Sequence, residues 1–374
     1  MWDELKRGKR PLVLYGTGNA AEKILKELDI RKVRVSGIFA SDGFVRDREF
    51  AGFRVFSYEQ AKAQFGPMTV LLCFGSHRPE VIENILRIDA EQDLYAPDLP
   101  VAGEGLFDEA YYEAHKGELA WARERLADER SRLVYDKVIE YKLTGRIAPL
   151  LECQTPEEDN WRLLRGASVP AFLDLGAYTG DTVELFLKIF SGRYSEITAV
   201  EPEARNFRKL KETAERLFGH EGTGDQLFDA DDTADLPCVD ETDVRLPDNI
   251  RLVNAAVSDR CGTAPFTHGA GRGGAEEKGK VRPVSLTTVD ALLAGQPIGI
   301  IKMDLEGGES AAIRGAEQTI RQHRPAMLIS AYHRCEDLFA IPRQILDIVP
   351  DYRVYLRKDP CIPAWGVNYF FVYS

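Results

Sequence analysis

The sequence predicts an α/β protein built from two successive, mostly parallel sheets, the second larger and closed by an antiparallel edge. Two observations place the sheets. An apolar run ends in a glycine-bearing turn at Gly16-x-Gly18 and again at Gly176-Ala-Tyr-Thr-Gly180, and each turn leads into apolar residues at helical spacing. A third separates them: residues 106–166 alternate charge with helically spaced apolar residues and hold no such unit. With 374 residues, two domains are the natural division. The expected layout is a small Rossmann-like module over residues 1–105, a helical linker over 106–166 and the main domain over 167–374.

In the first module, residues 12–15 read as a buried strand and Gly16-x-Gly18-x-x-Ala21 as the turn. Ile24, Leu25 and Leu28 then mark a helix face. A second strand (33–39), a helix (58–65) and a third strand (69–74) follow. The turn matches a G-x-G-x-x-A dinucleotide fingerprint, with Asp42 spaced for a ribose contact. The unit is short and would hold half a dinucleotide site at most. It is either a nucleotide or sugar-nucleotide pocket, or a degenerate module used for homo-oligomerisation or partner docking.

In the linker, Leu119, Ala122 and Leu126, then Leu133, Val134, Val138 and Tyr141, recur at helical spacing and read as core. Trp121, Tyr135 and Tyr141 are expected to pack this arm against a sheet. Thr155-Pro-Glu-Glu-Asp reads as a loop leading to a helix N-terminus.

The main domain opens with the strand 171–175. Gly176 and Gly180 admit a ligand to the backbone where a Cβ would exclude it. Asp174 brings a carboxylate to the same crevice. The turn has no Lys or Arg, which makes it a poor phosphate cradle and a better seat for an ammonium or sulfonium. The next strand (197–200) ends in Glu201, an acid placed to accept both hydroxyls of a ribose. Together these features point to S-adenosylmethionine.

A helix (204–218) then leads into an acidic stretch, where ten Asp or Glu between 221 and 248 stand against Arg245 alone. It reads as a solvated insertion and accounts for most of the net charge of −12. Residues 250–257 form a third strand with Asn254-Ala255 at its end. A strand pair (263–267 and 281–286) flanks the Gly-rich stretch 268–274, a lid whose Arg272 could meet an anionic group. Residues 298–305 carry Asp304 out at the strand end, and Glu306-Gly-Gly-Glu309 begins a helix. Strand 325–331 ends at Tyr332-His333, and strands 352–356 and 367–373 close the sheet.

No basic stripe is present to neutralise phosphates, which argues against nucleic acid. No apolar run suggests a transmembrane segment or signal-peptide core. The six scattered cysteines fit reduced thiols in a cytoplasm.

The main domain resembles the FkbM family of S-adenosylmethionine-dependent methyltransferases. The resemblance rests on Phe172-Leu-Asp-Leu-Gly-Ala-Tyr-Thr-Gly180, Ala199-Val-Glu-Pro202, Asn254-Ala-Ala-Val-Ser-Asp259, Val284-Ser-Leu-Thr-Thr-Val-Asp290 and Ile301-Lys-Met-Asp-Leu-Glu-Gly-Gly-Glu309. It implies a class I methyltransferase-like Rossmann fold and O-methylation of a sugar, glycan or small metabolite. By position, Asp174 and Gly176 would flank the methionine part of the cofactor, with Ala177, Tyr178 and Gly180 completing the turn. Glu201 would hold the ribose, Asn254 and Ala255 would border the adenine, and Asp304 and Glu306 would face the transferred methyl or its acceptor. The family typically has Asn where Tyr178 stands.

Transfer to a hydroxyl needs a base. His333 is the first candidate, because neutral imidazole is available near pH 7, and Asp304 is its rival. A further arrangement has Asp304, Glu306 and His333 around a divalent ion, though no metal is assigned. The competing functional class is a non-catalytic nucleotide-binding regulator or scaffold with a vestigial cofactor site.

Overall fold

The computed structural model describes residues 1–41, 49–166, 170–219, 246–267 and 281–373. The first sheet is built around β1 (Leu12–Tyr15), which parallel strands flank on both sides and whose four residues are all buried, Val13 and Tyr15 in one apolar cluster and Leu12 and Leu14 in another. Its other strands are β2 (Gly37–Phe39), β3 (Glu49–Phe50), β4 (Phe53–Phe56), β5 (Thr69–Leu72) and β6 (Asp93–Tyr95), in the order β3-β4-β2-β1-β5-β6. Helices α1 (Trp2–Arg7), α2 (Asn19–Ile30), α3 (Tyr58–Phe65) and α4 (Pro79–Glu91) cover it. Ser57 and Gln60 start α3 with a reciprocal capping box. The expected strand 33–39 shrinks to three residues. Asp42 lies outside the described residues.

The linker forms α5 (Glu109–Ala114), α6 (Lys116–Glu124), α7 (Glu129–Thr144), α8 (Ala148–Cys153) and α9 (Glu157–Trp161). On α7 the buried face is Val134, Tyr135, Val138 and Tyr141, whereas Leu133 is 39% exposed and not core as expected. It sits one position off the stripe that faces the sheets. One apolar cluster runs from Val13 and Val70 through Tyr135 and Tyr141 to Leu173 and Met303. The arm is thus a shared core between the two sheets.

The second sheet contains β7 (Ala171–Leu175), β8 (Glu196–Val200) and β9 (Ile250–Val253). A small separate sheet follows, made of β10 (Ala256–Val257), β11 (Gly262–Thr267) and β12 (Val281–Thr287). The large sheet resumes with β13 (Ile300–Met303), β14 (Ala326–Ser330), β15 (Arg353–Lys358) and β16 (Val367–Val372), in the order β15-β16-β14-β13-β7-β8-β9. All its pairs are parallel except β14–β16 and β15–β16, the expected antiparallel edge. Helices α10 (Asp181–Ile189), α11 (Ala204–Phe218), α12 (Val289–Leu293), α13 (Glu309–Arg314), α14 (Glu317–His323) and α15 (Asp337–Ile348) complete it.

Two expectations are corrected here. Residues 250–257 are two strands, because the chain leaves the large sheet at Asn254-Ala255 and rejoins the small one. Glu306 is not helical: its φ is +52°, and α13 starts only at Glu309. The acidic stretch and the lid sequence with Arg272 fall largely or wholly outside the described residues. Among the described residues, no helix is long and apolar enough to cross a membrane.

Candidate active site

Strand order reverses at β7, with β8 on one side and β13 on the other, so a crevice opens at their carboxyl ends. On the β8 side, the Gly176 and Ala177 amides donate to the Val200 carbonyl at 2.9 and 3.0 Å, folding the turn over the end of β8. Gly176 (φ +79°) and Gly180 (φ +90°) both occupy the left-handed region that favours glycine. Tyr178 also has a positive φ, +48°, and leaves its ring 46% exposed at the turn.

Glu201 is held by this turn. Its carboxylate accepts the Tyr178 N–H at 3.0 Å and the Glu203 N–H at 2.9 Å. It is only 5% exposed, and burial lifts it to about 7 despite these bonds. The Asn254 side-chain amide donates to the carbonyls of Glu201 (2.8 Å) and Pro202 (3.2 Å), which ties the end of β9 to that of β8. Ala255 is buried beside it.

Asp174 is not aimed into the crevice as expected. It is wholly buried, with one oxygen 3.0 Å from Lys302 Nζ and the other accepting the Thr182 hydroxyl at 2.6 Å. Lys302 also donates to the Gly176 carbonyl at 2.8 Å. The pair supports the turn from beneath. Burial lifts the Asp174 carboxyl despite Lys302, while Asp174, Asp304 and Asp181 overcome burial and keep Lys302 protonated.

On the other side, Asp304 leaves β13 and Tyr332-His333 leaves β14. The Tyr332 hydroxyl lies 3.2 Å from both Asp304 oxygens. His333 is fully buried; its Nε2 is 3.3 Å from Asp304 and 3.8 Å from Glu306, and its Nδ1 is 2.8 Å from Glu309. Burial opposes a charge on the ring, but Asp304 and Glu309 outweigh it and raise His333 to about 10. The neutral imidazole expected of a base near pH 7 is therefore not what this site holds. One donor atom from each of Asp304, Glu309 and His333 lies within 4.8 Å of the others, so Glu309 and not Glu306 is the third member of the tight cluster. Since the two ring nitrogens face different carboxylates, a proton on each fits this set better than a single ion.

Sequence reasoning missed Lys302, Glu309 and Tyr332 as site residues. A lysine inside the apolar run 300–303 was the available signal for the first. It also missed Val101 and Ala102, whose amides donate to the His333 carbonyl at 2.8 and 3.0 Å from the far end of the first module.

This is the fold and crevice of a class I methyltransferase. Residues 174–356 match the methyltransferase FkbM domain, and the second domain belongs to that family. S-adenosylmethionine is its cofactor. A methyltransferase FkbM from Methylobacillus flagellatus is similar over 99% of this chain and 92% of its own, at 20% identity and a TM-score of 0.70. The shared fold therefore includes the first module. More distant are fibrillarin from Aeropyrum pernix (12% identity, 54% of this chain, 66% of its own, TM-score 0.31) and the methyltransferase PaMTH1 from Podospora anserina (11%, 79%, 97% and 0.30). No curated protein matches the sequence.

Proposed function

We propose that this methyltransferase acts on a hydroxyl of a sugar, glycan or small metabolite. The observation that supports this is the contact between its two halves: a Cβ on Gly176 would stand 1.9 Å from the Asp304 carbonyl oxygen. The donor turn and the end of β13 that carries Asp304 thus adjoin each other.

The residues present fit the cofactor. Gly176, Ala177, Tyr178 and Gly180, supported by Asp174, form a small turn without a cation for its methionine end. Glu201 offers acceptor oxygens to a ribose, and Asn254 and Ala255 border the adenine. When bound, the cofactor supplies an electrophilic methyl and a thioether leaving group that needs no acid.

The protein must hold the acceptor oxygen at about 3–3.5 Å from the methyl, in line with the leaving sulfur. Asp304 receives the hydroxyl proton, a contribution of about 10²–10⁴-fold. His333 and Tyr332 orient that carboxylate, and Glu306 shares the same face. The scattered cysteines, with no C-x-x-C pair, fit a reducing compartment such as cytoplasm.

The first test is calorimetric titration of S-adenosylhomocysteine into wild type and Glu201→Ala. Micromolar binding that weakens at least about tenfold in the variant supports the site. Hydroxylated acceptors are then screened with wild type and Asp304→Asn. Methylation at nitrogen or sulfur alone, or full turnover by Asp304→Asn, would overturn the reading.

A further inference from the structure

We propose that Glu309 is a positioning residue, which orients the His333 imidazole so that its other nitrogen faces Asp304. The kinetic part of this inference rests on the proposed methyl transfer, whereas the structural part does not.

An acid at the start of a helix usually sits in solvent, where the favourable helix field requires no partner. Glu309 opens α13 yet is 1% exposed. A carboxylate buried that deeply is costly unless it is paired. One oxygen, Oε1, makes both pairings: it accepts the Leu305 N–H at 2.7 Å and lies 2.8 Å from His333 Nδ1. Glu309 thereby joins the loop that leaves β13 to the loop that leaves β14.

The groups around His333 divide the work. Asp337, from α15, accepts the backbone amides of His333 (3.0 Å) and Arg334 (2.7 Å). Val101 and Ala102 hold the His333 carbonyl from the first module. The Tyr332 ring lies 4.2 Å from the imidazole, centroid to centroid. These contacts fix the backbone and one ring face. Among the described residues Glu309 alone meets Nδ1, and it leaves Nε2 toward Asp304 and Glu306. An outer carboxylate of this kind sets the tautomer and orientation of an imidazole. It also favours the doubly protonated ring, whose charge lies 3.3 Å from Asp304 and keeps that carboxylate ionised for the acceptor proton.

Glu309→Gln separates this role from simple scaffolding. The Gln carbonyl can still accept from Leu305 and from a protonated Nδ1, so shape and both bonds survive and only the charge is lost. The measurement is an NMR titration of the histidine Cε1–H signals in the full chain, with His333 assigned by its loss in His333→Gln. In wild type, the ring is expected to stay protonated through about pH 8. In Glu309→Gln its midpoint should fall by at least about one pH unit, while Glu309→Asp recovers part of the shift. S-adenosylhomocysteine affinity should change less than about threefold, since Glu309 lies outside the donor turn. With an acceptor in hand, kcat should fall at least about tenfold at unchanged KM for the cofactor.

A His333 titration identical in wild type and Glu309→Gln would overturn the inference. If neither protein binds S-adenosylhomocysteine, the methyl-transfer reading fails while the titration still decides the role of Glu309.

Discussion

Gly176 and Asp304 touch through their backbones, one in the turn after β7 and the other at the exit of β13. A Cβ on Gly176 would overlap the Asp304 carbonyl, and its φ of +79° is unfavourable for any other residue. Gly176→Ala should therefore push the two loops apart. The expected cost is about 2 kcal/mol or more, read by urea denaturation, with loss of S-adenosylhomocysteine binding. A variant of wild-type stability and affinity would show that the loops do not depend on this contact.

Lys302 and Asp174 form a buried pair under the same turn. Removing only the cation leaves an uncompensated buried carboxylate, so Lys302→Met should lose about 3–5 kcal/mol. Adding Asp174→Asn should recover much of that loss. If the double variant is no more stable than Lys302→Met, the two residues are not coupled as the geometry indicates.

Glu201 makes cofactor affinity depend on pH. Its folded-state value of about 7 lies above the ordinary glutamate value of about 4.3. Folding therefore favours the protonated acid, and this group's contribution to stability falls as pH rises from about 4.3 to about 7. Ribose hydroxyls need the ionised form as acceptor. S-adenosylhomocysteine affinity should thus weaken below about pH 7, by up to about tenfold per unit, and level off above it. Calorimetry across this range checks the trend, and Glu201→Gln should flatten it.

Asp128 caps α7 by accepting the Ser131 N–H at 2.8 Å, and it also pairs with Arg357 of β15 at 2.6 Å. Burial opposes its charge, but the bonds from Arg357 and Ser131 hold it down at about 2. Its folded value is depressed, so its stabilisation is complete above the unfolded value of about 3.9 and disappears as pH falls toward about 2. Asp128→Ala should cost about 1–2 kcal/mol at neutral pH, mostly as a lost cap, since the carboxylate is about one-third exposed and its ion pair is screened. An acid titration of stability that is unchanged in the variant would contradict this.

Local pattern was enough for the elements that repeat strongly. The helices 58–65 and 204–218 and the strands 12–15 and 171–175 match the expected bounds; a strong apolar pattern runs through the last three, and a capping box starts the first. It was not enough for β3 and β6, two and three residues long, which are too short to show a period and pair with a longer strand. The break at Asn254 has the same origin. Residues on both sides of it are apolar, and only the geometry of two sheets sends Ala256 to a different partner from Val253.

Several features of the site could be read from the sequence by itself. They are the two glycine turns, the acid at 201, the carboxylate at 304, the histidine at 333 and the resemblance to a cofactor-binding family. Chain chemistry and short spacing suffice for these. Charge state and direction were decided by tertiary structure. Asp174 turns inward because Lys302, 128 positions later, pairs with it across two strands. His333 becomes a cation because Glu309 and Asp304 converge on opposite ring nitrogens. A pKa is set by burial and neighbouring charge, and neither is defined until the strands are in register.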